Sequence, residues 1–187
     1  MRSAFLQLHL SVLLAGFTGI FGRLITLSEG VLVFYRMLIT TILFYIVLKI
    51  IGKFKLLPLR DLIRIGAVGF LLAVHWVFFY GSIKAANVSV GVVCFTLTGF
   101  FTAIFEPLLL RRKFLPKELL FSFIALMGVL LIFHFDTRYR TGIILGIIGA
   151  ALAALYTICN KSLNKRYPLS LLFFYQIAGG LVCLSLI

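Results

Sequence analysis

Long apolar runs alternate with short polar breaks along the whole chain. Each crossing of the hydrocarbon layer of a membrane needs about 20 consecutive, mostly apolar residues, and these runs approach or exceed that length. The pattern predicts helices at residues 4–22, 30–50, 65–83, 88–110, 119–135, 142–160 and 169–187. Because the breaks are short, helices that follow one another must pack antiparallel. The sequence therefore predicts an all-α protein, a polytopic transmembrane helix bundle.

The composition favours the same class. Hydrophobic residues make up 63% of the 187 residues and charged residues 12%, whereas soluble domains average about 45 to 50% and about 25%. These values exclude a soluble globular domain. A net charge of +13 would indicate a nucleic-acid partner in a soluble chain. Here the cations lie between apolar runs, so we expect the lipid bilayer as a partner and no nucleic acid.

The distribution of Lys and Arg predicts the orientation in the membrane. With a cytoplasmic N-terminus, thirteen of the 18 basic residues lie on the cytoplasmic side and four on the opposite side, while Arg36 lies inside a helix. Cytoplasmic loops of membrane proteins carry an excess of Lys and Arg. We therefore expect a multi-pass membrane protein with its N-terminus in the cytoplasm.

The cysteines give no sign of a metal site. Cys94, Cys159 and Cys183 are isolated inside apolar runs, form no C-x-x-C pair and have no histidine at ligand spacing. We interpret them as small packing residues and expect neither a metal nor a cofactor.

A loose internal repeat relates the first two predicted helices to the sixth and seventh. The segment 33–36, Val-Phe-Tyr-Arg, is echoed at 173–176, Phe-Phe-Tyr-Gln. The first helix of each copy is rich in small residues, which let helix backbones approach closely in lipid. These residues are Ala15, Gly16, Gly19 and Gly22 in one copy, and Gly142, Gly146, Gly149, Ala150, Ala153 and Ala154 in the other.

The spacing of the two copies determines their relative orientation. The sixth helix follows the first by an odd number of crossings, so a true repeat would be inverted, as in many secondary transporters. The alternative is a chance likeness of two apolar segments. We expect a complete first five-helix repeat over residues 1–140 and the start of a second over 141–187. The final apolar run has no charged residue at its far end, which predicts that the sequence is part of a longer carrier.

Five segments, in their order and spacing, resemble the EamA-like branch of the drug/metabolite transporter superfamily, in particular its bacterial inner-membrane members. They are Phe21-Gly22-Arg23, Phe34-Tyr35-Arg36, HWVFFYGSI at 75–83, TGFFTAIFEPL at 98–108 and GVLLI at 128–132. The resemblance implies ten helices in two inverted repeats with both termini in the cytoplasm. The chain departs from the usual family pattern at Gly99, where a proline is common, and at Arg112, where an acid is common.

Glu106 is the acid that falls within a predicted helix, and a carboxylate in lipid is costly unless it has a partner, a cavity or a proton. It is either a proton-coupling or substrate-facing group, or it pairs with Arg111 or Arg112 near the membrane edge. The next residue, Pro107, lacks a backbone donor and predicts a kink. In the same helix, Thr98 and Thr102 lie on one face. They either line a substrate pathway or bond their own backbone.

Two other helices supply candidate substrate-binding residues. Trp76 and Tyr80 share a face of the third helix and could hold an apolar or aromatic metabolite, or belong to an interfacial aromatic belt. His75 is either an interhelical hydrogen bonder or a proton carrier. Arg36 either extends to the interface, pairs with Glu29, or binds an anionic substrate group. The resemblance favours the last alternative.

The function expected is that of a secondary transporter that moves a small metabolite, such as an amino acid or an amphipathic solute, by alternating access. Family resemblance favours export across the inner membrane. No Walker A sequence is present, so a gradient or exchange would supply the energy. The alternatives are a non-transporting membrane scaffold or an intramembrane enzyme, and we expect no enzyme because no second intramembrane acid accompanies Glu106. Homo-oligomer formation stays open.

Overall fold

The computed structural model describes residues 2–133 and 137–186. The described parts are helical, which confirms the all-α prediction. The helices are α1 (Arg2–Leu24), α2 (Glu29–Ile50), α3 (Leu59–Ala85), α4 (Val88–Thr96), α5 (Thr98–Leu110), α6 (Pro116–Phe133), α7 (Arg140–Leu163) and α8 (Leu169–Leu184). A single 3₁₀ turn, Thr137–Tyr139, precedes α7.

Every predicted helix has a counterpart in the structure. Within the described residues, five spans are long and apolar enough to cross a membrane: Phe5–Leu24, Glu29–Ile50, Leu59–Ala85, Val88–Leu110 and Arg140–Leu163. Helix α8 is apolar but shorter, with 16 residues. The predicted ends at residues 135 and 187 lie outside the described residues. This arrangement is the polytopic helix bundle that the sequence predicts.

Helix α3 begins earlier than the predicted start at residue 65. Pro58 occupies its N-cap and Asp61 lies in its first turn, where a carboxylate is favourable. The charges of Arg60 and Arg64 therefore lie on an extension of the helix, whereas hydropathy alone places them in a loop.

Helix α3 is the centre of the bundle and packs against α7 and α8. The backbones come so close that a Cβ at Gly69 would lie 1.9 Å from the carbonyl oxygen of Gln176. A Cβ at Gly179 would lie 2.5 Å from the Cα of Gly66. All six small residues named above for α7 are buried, and we call them the packing stripe of α7. Close backbone contact is therefore the packing mode of this part of the bundle.

Helix α1 is packed much more loosely. Only 11% of the most apolar stretch of this helix is buried inside the bundle. Large side chains such as Phe5, Leu6 and Leu13 are exposed. Of its small residues, Gly19 and Gly22 are buried, whereas Ala15 and Gly16 are exposed. The outer surface of α1 is therefore suited to lipid.

The fourth membrane crossing is divided into two helices. The helix is interrupted at Leu97, whereas α5 continues through Pro107, where the sequence predicts a kink. The hydroxyl of Thr96 donates to the carbonyl of Val93 at 2.6 Å, and that of Thr98 to the carbonyl of Phe95 at 2.7 Å. Hydroxyls that bond nearby carbonyls compete with the helix backbone, which accounts for a break at this point.

Side-chain bonds hold the loops together at each end of the bundle. At one end, Arg23 donates to the carbonyl of Lys84 at 3.1 Å, and Lys84 donates to the carbonyl of Ile25 at 3.2 Å. At the other end, Tyr167 donates to Asp61 at 2.7 Å. We call this second end, which carries the loops 51–58, 111–115 and 164–168, the basic end, and the first the opposite end.

Candidate functional site

Arg36 lies on α2 and is held by two aromatic side chains of α3. Its guanidinium carbon lies 4.2 Å from the centroid of the Trp76 ring, and its Nη1 donates to the hydroxyl of Tyr80. Trp76 and Tyr80 are four residues apart and so lie one turn from each other on the same helix face. The structure therefore brings together three of the predicted binding residues.

An ion pair between Arg36 and Glu29, one of the alternatives stated above, is not among the contacts of the described residues, where Arg36 has no carboxylate partner. A stack on tryptophan contributes about 0.5 to 2 kcal/mol, and an arginine within a membrane helix costs about 2.5 to 3.5 kcal/mol on insertion scales. A guanidinium has five N–H donors. Of these donors, one makes a hydrogen bond in the described part of the chain, the bond of Nη1 to Tyr80.

Two cavities meet at Arg36. The first, which we call the central cavity, has a volume of about 460 Å³. It is lined by Val12, Ala15, Gly16, Thr18, Gly19, Arg36, His75, Trp76, Phe79, Val92 and Phe95. The second, of about 400 Å³, lies nearer the opposite end and is lined in part by Phe21, Tyr35, Arg36 and Tyr80. The exposed small residues of α1 thus form one wall of the central cavity.

His75 connects α3 to α7 at the edge of the central cavity. Its Nδ1 is 2.8 Å from the carbonyl oxygen of Gly149, and its ring is stacked with that of Phe95 at a centroid distance of 5.4 Å. This contact agrees with the first alternative stated above for His75, that of an interhelical hydrogen bonder. Gly149 has no side chain to keep the two helices apart at this point.

Thr98 and Thr102 are not brought into the central cavity. Their hydroxyls donate to carbonyls of their own chain segment, Thr98 to Phe95 and Thr102 to Thr98, each at 2.7 Å. This agrees with the self-bonding alternative. Thr102 instead lines a separate cavity of about 230 Å³ at the basic end, together with Glu106 and Lys161.

Glu106 is paired with two cations at the basic end. Its Oε1 accepts from Lys161 Nζ at 2.7 Å and from Arg112 Nη1 at 3.2 Å. The Arg112 contact is one that the sequence offers as an alternative, whereas the Lys161 contact is not predicted. Glu106 thus lies away from Arg36 and joins α5 to α7.

A buried polar chain connects α7 and α8. The Tyr156 hydroxyl donates to Gln176 Oε1 at 3.1 Å, and Gln176 Nε2 donates to Asn160 Oδ1 at 2.9 Å. Gln176 is only 1% exposed. It occupies the place of Arg36 in the predicted repeat, and its hydrogen bonds are satisfied within the chain.

Comparison with known proteins assigns the chain to a family. The model of the EamA-like transporter family matches residues 2–134. Over 193 aligned residues, the chain is 24% identical to YxxF, an uncharacterized transporter of Bacillus subtilis (strain 168). The alignment covers 99% of this chain and 62% of that relative, so the chain spans less than two thirds of its length. No solved structure matches the chain. The protein belongs to the EamA-like transporter family.

Proposed function

We propose that the protein is a secondary transporter that moves a small metabolite through the bundle by alternating access. The family match and the transporter name of the Bacillus relative support transport as the general activity. The solute, the direction of transport and the energy source belong to the proposal. We favour export across the bacterial inner membrane, driven by a gradient or by exchange.

The observation that carries the proposal is the position of Arg36 beside a cavity within an apolar bundle. Charged residues in membrane spans are expensive, and they commonly mark a solute or ion pathway. Arg36 has no carboxylate partner in the described chain, and its planar fork of donors suits a carboxylate or another anion. A protein that served only as a scaffold would have no need for a cavity beside an unpaired cation.

The walls of the central cavity indicate the rest of the solute. Trp76, Phe79 and Phe95 present aromatic surface, while Val12 and Val92 are aliphatic. Binding sites of this kind combine apolar walls with a small number of polar groups that orient the ligand. We therefore propose a solute with one anionic group and an apolar or aromatic body, bound by Arg36, Trp76 and Tyr80.

Alternating access fits the proposed domain organisation. In this scheme residues 1–140 form a first repeat and residues 141–187 begin a second, inverted one. The family match over residues 2–134 supports the first of these boundaries. The N-terminus and the basic end lie in the cytoplasm, because thirteen of the 18 basic residues then face that side.

Reconstitution into proteoliposomes tests the proposal. We expect saturable flux of at least one labelled solute in a panel of amino acids, organic acids and amphipathic metabolites. Arg36→Met should raise KM for an anionic solute at least tenfold, because it removes a charge-assisted hydrogen bond. The control is Arg166→Met, in an exposed loop at the basic end. Absence of saturable flux across the panel would overturn the proposal.

A further inference from the structure

The hydrogen bond of His75 determines which nitrogen of the ring carries the proton. Nδ1 lies 2.8 Å from the carbonyl oxygen of Gly149. A carbonyl oxygen can only accept, so Nδ1 must donate. In the neutral ring Nε2 then has a lone pair and acts as an acceptor. The backbone of α7 therefore fixes the tautomer of a side chain on α3.

The helices that line the central cavity with His75 differ from the helix that its Nδ1 contacts. Nδ1 is directed at α7, whereas the central cavity that His75 lines is formed by residues of α1, α2 and α4 in addition to α3. Nε2 is on the far side of the ring from Cβ and makes no hydrogen bond in the described part of the chain. The stack on Phe95 limits rotation of the ring.

From this geometry we propose that His75 is a specificity-determining residue whose Nε2 accepts a hydrogen bond from the transported solute. The inference rests on the proposed function and narrows the solute class. Arg36 offers only donors and His75 offers an acceptor, so the two residues select a solute with both an anionic group and an N–H or O–H donor. An anion without such a donor satisfies Arg36 alone.

Isosteric substitutions separate the two nitrogens of His75. In His75→Asn, the amide nitrogen takes the place of Nδ1, so the bond to Gly149 is kept and the acceptor is lost. In His75→Gln, the amide takes the place of Nε2, so an acceptor is kept and the bond to Gly149 is lost. A structural role for His75 predicts that Gln is the more harmful change, whereas solute recognition predicts that Asn is.

The probes are three solutes with one carbon skeleton: 3-phenylpropionate, 3-phenyllactate and phenylalanine. They carry a hydrogen, a hydroxyl and an ammonium group, respectively, next to the carboxylate. Trp76 is the only tryptophan of the chain and lines the cavity, so its fluorescence reports binding to purified protein. We expect 3-phenyllactate to bind roughly three- to tenfold more tightly than 3-phenylpropionate, as for one neutral hydrogen bond. Phenylalanine, whose donor is a charged ammonium group, should also bind more tightly than 3-phenylpropionate.

The same variants are measured for binding of the three probes and for KM of every solute that the flux panel identifies. We expect His75→Asn to abolish the preference for solutes with a donor and to raise KM roughly three- to tenfold. His75→Gln should retain part of that preference and raise KM less. The control is His9→Asn, because His9 Nδ1 makes a similar bond to the carbonyl of Phe5 on exposed α1. It should change neither value.

The outcomes distinguish this inference from the proposed function. If solutes are transported but His75→Asn leaves KM and the donor preference unchanged, the role of His75 is overturned and transport stands. If His75→Gln is the only damaging variant, the bond to Gly149 is structural, and the inference is again overturned. If no panel solute shows saturable flux, both proposals fail. Thermal unfolding of each variant checks that it is folded.

Discussion

Glu106 on α5 accepts a hydrogen bond at 2.7 Å from Lys161 on α7, and the same oxygen accepts a second from Arg112 at 3.2 Å. The Lys161 contact joins a helix of the family-matched region, residues 2–134, to a helix that follows it. Both cations are half exposed, whereas the side chain of Glu106 is 22% exposed. The contact joins α5 to α7 at the basic end, away from the two cavities that meet at Arg36.

We predict that the pair Glu106–Lys161 contributes a measurable coupling energy. Exposed ion pairs typically contribute about 0.2 to 1 kcal/mol, and partial burial of the carboxylate places this pair towards the upper limit. The measurement is a double-mutant cycle of Glu106→Gln and Lys161→Met by thermal unfolding in detergent. The coupling energy should decrease at high salt, because dissolved ions screen the exposed ammonium group of Lys161.

Lys113→Met is the matched control for this cycle. Lys113 lies in the same small cavity as Glu106 but has no salt bridge in the described chain. Its removal should not couple to Glu106→Gln. Strictly additive effects of the Glu106 and Lys161 substitutions would show that the contact does not stabilise the fold.

A second contact at the basic end predicts a pH dependence. The hydrogen bond that Tyr167 donates to Asp61 raises the pKa of the phenol above its usual 10.0, because the neutral form makes the bond. A group whose folded pKa is raised stabilises the fold below its unfolded pKa and loses that contribution as the pH rises through its folded pKa. The contribution of this hydrogen bond between the α7–α8 loop and the start of α3 should therefore be lost above about pH 10.

Tyrosinate absorbance measures this transition. The difference titration between the parent protein and Tyr167→Phe should show one phenol that ionises later than an unperturbed tyrosine. Asp61→Asn should bring that ionisation to lower pH, since it removes the negative charge that opposes formation of the phenolate. A Tyr167 titration that Asp61→Asn does not change would contradict the assignment.

The sequence predicts the helices and the packing stripe of α7 because both depend on local patterns. Runs of apolar residues determine the crossings, and small residues at helical spacing determine which face of α7 is buried.

The arrangement of the candidate site is predicted less completely by the sequence. Arg36, His75, Trp76 and Tyr80 could be named as candidates, but the stack of Arg36 on Trp76 depends on how α2 and α3 rotate about their axes, which no local pattern determines.

Two features of the structure, one contact and one helix break, have no usable signal in the sequence. Lys161 is 55 residues from Glu106, and its pairing follows from the approach of α7 to α5. The break at Leu97 results from hydroxyl bonds of Thr96 and Thr98, while the proline that draws attention in the sequence lies later, within α5. The interruption of the helix therefore lies beside the two threonines and not at the proline.

The α3–α8 contact predicts a strong effect of one added methyl group. A Cβ at Gly69 would lie 1.9 Å from the carbonyl oxygen of Gln176, which is backbone and cannot rotate away. Gly69→Ala should lower the free energy of unfolding by about 1 to 3 kcal/mol, as overpacking does. Gly30→Ala is the control, because nothing lies within 4 Å of a Cβ there and alanine is the better helix former. Equal melting temperatures of the two variants would contradict the close packing.

The orientation of the bundle can be tested by labelling single introduced cysteines in cells. Lys113 lies in the α5–α6 loop at the basic end and Ser28 in the α1–α2 loop at the opposite end, and both are exposed. If the excess of Lys and Arg faces the cytoplasm, Ser28→Cys should react with a membrane-impermeant maleimide in intact cells. Lys113→Cys should react only after permeabilisation, and the parent protein measures labelling of its own cysteines. The reverse pattern would place the loop 111–115 outside the cell, and it would contradict the proposed orientation of the bundle.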